Sequence, residues 1–192
     1  MTNPLRRDSI LALSVSLALG GVLASCGEGE DDQQAAAPAP RPAPVERVDP
    51  LEGVELDPRV EFPEQRVPES PDLARAIADM ANALAQGDAD AFARRLTDPA
   101  IAVLDDLQTR GEWGSATSGI ETVRVVAVEA GESSARLGLG VQDPDGAYLL
   151  AWEGLARNGD WAFTGLPVES RSAPRAADLD GVDLAELPIP QP

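Results

Sequence analysis

The chain has no histidine, no lysine and a single cysteine, and aromatic residues make up only 4% of it. Each shortage removes a class of chemistry. One cysteine excludes an intrachain disulfide. Without histidine, and with one thiol, a zinc or copper site lacks its usual ligands. No glycine-rich phosphate loop opens a helix, and no serine sits in a nucleophile elbow. The longest apolar run, Ile10 to Val22, is short of the roughly 20 residues a membrane-spanning helix needs. Positive charge is scarce as well: 15 basic against 33 acidic side chains give a net −18. Such a surface repels phosphates, so neither nucleic acid nor an anionic lipid surface is an expected partner. No cofactor and no metal are expected.

The apolar run follows Arg6 and Arg7 and ends in Leu23-Ala24-Ser25-Cys26-Gly27. A positive start, a short apolar core and small residues describe a cleaved export signal over residues 1–25. The last five residues resemble the bacterial lipobox: an aliphatic residue, two small ones, then the cysteine that receives diacylglycerol through a thioether. The resemblance implies a lipid on Cys26 and an address at the cell envelope, facing the periplasm in an organism with an outer membrane. Two or more acyl chains make such an anchor effectively permanent, because each buried methylene contributes about 0.8 kcal/mol. The Arg6-Arg7 pair also resembles the twin-arginine export signal, although Asp8 and Ser9 separate it from the apolar core.

Residues 26–69 change character. Glu28, Glu30, Asp31 and Asp32 lead into an alanine- and proline-rich stretch, and prolines recur to Pro68. That composition cannot bury enough surface to fold, which predicts a disordered tether reaching about 35 Å as a coil and about 130 Å extended. Residues 169–192 read as a disordered tail for the same reason. Leu51-Glu52-Gly53-Val54-Glu55-Leu56 in the first segment echoes Leu179-Asp180-Gly181-Val182-Asp183-Leu184 in the second. The echo is either chance or a pair of segments that each lay an apolar side on the domain or on a partner.

Between them, residues 70–168 predict an α+β domain. Ser70-Pro71-Asp72 starts a helix with a capping hydroxyl, a proline at its first position and an early acid. Leu73, Ile77, Met80 and Leu84 fall on one helical face, and Gly87 ends it. Asp88 opens a second helix with Phe92 and Leu96; Asp98-Pro99 opens a third, with either Ile101, Leu104 and Gln108 or Val103 and Leu107 inward. Asp88, Asp90 and Asp98 read as capping residues, and Trp113–Gly119 as a loop. Four strands follow, over 120–130, 134–142, 147–157 and 160–168. Asp143-Pro144-Asp145-Gly146 is a turn, lacking the ligand spacing of a calcium loop. Asn158-Gly159 is the strongest hairpin signal, and its register sets Trp161 opposite Ala156, Phe163 opposite Gly154 and Trp152 opposite Gly165. The architecture expected is three N-terminal helices packed on a four-stranded antiparallel meander, flanked by disordered segments.

ALAQGDADAFARRL in the helices and GLARNGDWAFTGL in the last hairpin resemble the nuclear-transport-factor-2-like superfamily of curved α+β cones. That superfamily includes secreted lipoproteins of unknown function, polyketide cyclases and ketosteroid isomerases. The resemblance implies the fold alone, since one fold carries many activities. A cyclase or isomerase would need a buried carboxylate beside Tyr148. The carboxylates best placed in sequence are Asp105 and Asp106 on the third helix and Glu153 on the third strand. Tyr148, Leu150, Trp152, Trp161 and Phe163 share one side of the sheet, as either core or ligand pocket. Three roles stay open: a non-enzymatic binding or accessory module for a protein or a small apolar ligand, a structural envelope protein, and a small acid–base enzyme. The first is the reading carried forward, with no catalytic residue assigned.

Overall fold

A computed structural model describes residues 49–167 and 172–186. The export signal, Cys26, most of the segment expected as tether, and the last six residues lie outside them. The described chain is α+β. Its elements are β1 (Val60–Glu61), α1 (Pro71–Gln86), α2 (Ala89–Ala93), α3 (Asp98–Thr109), α4 (Glu112–Ser118), β2 (Thr122–Ala130), β3 (Ser134–Asp143), β4 (Gly146–Arg157), β5 (Asp160–Leu166) and β6 (Ser172–Ala173), with 3-10 turns at Glu64–Arg66 and Ala176–Leu179.

The expected three helices and four strands are therefore corrected to four helices and six strands. The loop expected over Trp113–Gly119 is helix α4. It carries no capping side chain, and glycines stand at 111, 114 and 119, so local propensity opposes it; Trp113 and the buried Thr117 hold it by packing. The two added strands come from segments expected to be disordered. The described chain is thus ordered beyond both ends of 70–168, because short apolar groups there find partners on a preformed sheet.

Helix α1 follows its local signals. Ser70 Oγ accepts from Leu73 N, and Gly87 ends the helix at φ +68°. Leu73, Ile77, Met80 and Leu84 are buried, together with Ala74, Ala76, Ala78, Ala81, Ala83 and Ala85. A helix buried nearly all round needs small side chains to let its neighbours approach, which is what this run of alanines provides. Gly87 meets two demands at once. Its φ is positive, and a Cβ there would lie 2.8 Å from Thr117 Oγ1, so the turn also makes room for α4. Asp88 caps α2 by accepting from Ala91 N. Asp98 does not cap α3: Thr97 occupies that position, and its hydroxyl instead bonds Thr164 Oγ1 at 2.7 Å. Asp90 lies in the first turn of α2.

Strands β2, β3, β4 and β5 pair antiparallel in chain order, and β1 joins β2 in parallel. Asn158 and Gly159 both take positive φ, 53° and 85°, and Arg157 pairs with Asp160. The outer edge of β5 is occupied, since Phe163 N donates to Arg95 O and Phe163 O accepts from Thr97 N. A sheet edge is thereby closed by the α2–α3 connection.

Each face of the sheet carries a buried cluster. On the helix side, Val123, Val125, Leu137, Leu139, Val141, Trp161 and Phe163 meet α1 and α2. On the other side Val126, Ala127, Ala147, Leu149 and Ala151 are covered by Ala176, Leu179 and Leu184 of the tail. A bulge in β2 creates the second surface. Val125 pairs with Leu139 and Ala127 with Gly138, so Val126 is the extra residue. Its carbonyl, left out of the ladder, accepts from Gly181 N at 3.1 Å.

Residues 172–186 form a strap across this face. Gln142 Oε1 accepts from Ala176 N, and Arg136 Nη1 reaches Leu184 O. Arg124 donates Nε and Nη2 to the two carboxylate oxygens of Asp180 at 2.8 and 2.7 Å, and also pairs with Glu61 on β1. The hydrogen bonds from Arg124 hold the Asp180 carboxyl below its usual value, against the opposing effect of burial. That contribution to the strap's docking is complete above the usual carboxylate range, near pH 4, and is lost as pH falls through the lower folded value. Acidification below the usual carboxylate range is therefore expected to lower the protection factor of Gly181, its exchange taken relative to the intrinsic rate at the same pH, before those of β3 and β4. Asp180→Asn should show the lower protection already at neutral pH. An unchanged Gly181 in both experiments would remove the ion pair from the account.

The two echoing segments divide between the faces. Leu179 and Leu184 enter the outer cluster, whereas Leu56 packs against the main core. Asn82 on α1 holds the first segment, donating Nδ2 to Glu55 O and accepting from Asp57 N, both at 2.8 Å. Leu56 of the first echo and Leu179, Val182 and Leu184 of the second dock on the domain.

Candidate binding site

Helices α3 and α4 stand away from the sheet and leave a cleft of about 600 Å³. Ala100, Val103, Leu104 and Leu107 line it from α3; Glu112, Trp113, Ala116 and Thr117 line it from α4. Tyr148, Leu150 and Trp152 of β4 form the sheet wall, and Phe92 and Leu96 close the α2 side. The aromatic stripe read from sequence thus divides between its two alternatives. Tyr148, Leu150 and Trp152 line the cleft. Trp161 and Phe163, 6% and 0% exposed, are core and take no part in it.

Sequence reasoning placed Phe92 on the second helix but missed Trp113 and the aromatic wall that the two build. Phe92 lies 5.0 Å from Trp113 and 5.6 Å from Trp152, nearly perpendicular to the latter. Trp113 was hidden by the loop assignment. Its spacing to Ala116, Thr117 and Ile120, at three, four and seven residues, was the available signal. On α3 both alternatives for the inner face hold in part: Leu104 is buried and Ile101 packs on the core, while Val103 and Leu107 line the cleft. Gln108 is exposed.

Most polar atoms around the cleft are already engaged. Trp113 Nε1 donates to Gly87 O, Thr117 Oγ1 to Trp113 O, and Thr164 bonds Thr97. Trp152 Nε1 is buried with no hydrogen-bond partner, the one such side-chain atom among the described residues. The Tyr148 phenol is pushed above its usual value, first by burial and then by the charge of Asp143. It remains a protonated donor at neutral pH.

Carboxylates stand apart from this wall. Asp106 is bound to Arg110 at 2.8 Å and exposed, Asp105 is exposed, and Glu153 is exposed opposite Thr164. None of the three lines the cleft. Glu112 is the only charged lining residue among the described ones; it is about half exposed and lies 3.2 Å from Arg110. No group of three or more candidate metal ligands occurs among the described residues, and none of their helices is long and apolar enough to cross a membrane.

No protein-family model matches the chain, and no curated protein does.

Proposed function

We propose that this chain is an envelope lipoprotein, anchored through Cys26, whose domain is a non-enzymatic binding module for a small apolar ligand. The observation that carries the reading is the cleft itself: about 600 Å³, walled by Phe92, Trp113, Tyr148, Leu150 and Trp152. Well-packed domains leave few voids larger than a water molecule, whereas ligand sites are apolar concavities of about 300–1,000 Å³ with a few polar groups. The nuclear-transport-factor-2-like reading belongs to the same proposal, supported by helices laid over one face of a mostly antiparallel sheet.

Ala116 lies on the exposed wall of the cleft, so Ala116→Trp fills the space without entering the core. Native mass spectrometry of the lipoprotein, gently extracted from its own membranes, is expected to show a non-covalent adduct that the variant lacks. A bare acylated monomer in both preparations would overturn the ligand reading.

A further inference from the structure

We infer that the cleft takes a lipophilic cation, an apolar body ending in an amine or quaternary ammonium group. The inference rests on the binding-module reading and specifies its ligand. Three features point the same way. First, the cleft offers no basic side chain to balance an anion. Arg110, the nearest guanidinium bound to a lining residue, is already held by Asp106 at 2.8 Å and by Glu112 at 3.2 Å. Two carboxylates against one guanidinium leave that group net negative, and Asp105 adds to it on the same helix. A fatty carboxylate or a phosphate would enter against this charge. Second, four of the chain's seven aromatic residues line the cleft. Aromatic rings attract cations through their quadrupole, most strongly where water is excluded. Third, the excess of acidic over basic side chains in the chain, 33 against 15, raises the concentration of cations around the protein. An apolar body would lie against Leu104 and Leu150, with its ammonium group held between the aromatic wall and Glu112.

Three probes sharing a decyl chain test this on the full-length protein: decyltrimethylammonium, decanol and decanoate, followed by tryptophan fluorescence or calorimetry. The ammonium probe is expected to bind about fivefold tighter than the alcohol at low ionic strength, and decanoate weakest. Added salt and Glu112→Gln should each shrink the ratio of ammonium to alcohol affinity, with circular dichroism confirming that the variant is folded. Equal affinity for ammonium and alcohol, both abolished by Ala116→Trp, would overturn the cation while leaving the cleft as a binding site. Tightest binding of decanoate would overturn it too. Failure of all three probes to bind would overturn this inference and the binding-module reading together.

Discussion

Phe163→Ala is expected to lower the free energy of unfolding by about 3–5 kcal/mol, the range for removing a large aromatic from a closed core. Phe163 has no exposed surface, sits on β5 between β4 and the 95–97 connection, and joins the core that also contains Leu73, Ile77 and Met80. Native domains have only about 5–15 kcal/mol to lose, so urea unfolding should show a large drop in midpoint or no folded baseline. A companion pair makes the test specific. A Cβ on Gly154 would lie 2.7 Å from Phe163 Cε1. Gly154→Ala should therefore cost about 1–3 kcal/mol by overpacking. Combined with Phe163→Leu it should cost less than the two changes added, because the smaller side chain vacates the contested space. Strict additivity would mean that the ring does not lie over the glycine.

Ending the chain after Pro167 is expected to make the domain self-associate. The strap covers Val126, Ala127, Ala147, Leu149 and Ala151, and Gly181 N partners the Val126 carbonyl that the bulge leaves out of the ladder. Exposing that face creates a contiguous apolar patch, a surface that associates. Size-exclusion chromatography with light scattering reads the outcome. Leu184→Ala is the milder form: Leu184 is 1% exposed, and the change should cost about 2–5 kcal/mol. A monomeric, equally stable truncated chain would show the strap to be dispensable.

The strap also shows where sequence reading stops. In the sequence of β3, Gly138 and Gly140 are blank positions. Their purpose appears only in three dimensions. A Cβ on Gly140 would lie 3.0 Å from Val126 Cγ1 and 3.2 Å from Ala176 O, and one on Gly138 would lie 3.3 Å from Leu184 Cδ2. The glycines are the bed on which the strap lies. Composition alone made 169–192 look unable to fold, and by itself it has little to bury. Leu179 and Leu184 are separated by Asp180, Gly181, Val182 and Asp183, a five-residue spacing that fits neither a helical nor a strand period, so no local rule flags them. The segment orders because a bulged sheet presents a matching surface and Arg124 binds its acid.

The cleft was half legible. Alternation placed Tyr148, Leu150 and Trp152 on one side of β4, but left open whether that side is core or pocket. That depends on how far α3 and α4 stand off, which in turn depends on Gly87 approaching Thr117 and on Trp113 reaching back to Gly87 O. These contacts join residues 26 to 30 positions apart, and no window of periodicity spans them.

Sequence by itself determined the α+β class, the caps of α1 and α2, the buried face of α1, the 158–159 hairpin and the cross-strand register that sets each ring opposite a small residue. All of these depend on neighbours a few residues apart or on a two-residue turn, where backbone geometry leaves little choice. Tertiary structure alone decided the fourth helix, the two added strands, the strap over the outer face and the division of the aromatic stripe into core and cleft. Each of these is stabilised by partners distant in the chain, whose contribution outweighs weak or unfavourable local propensity.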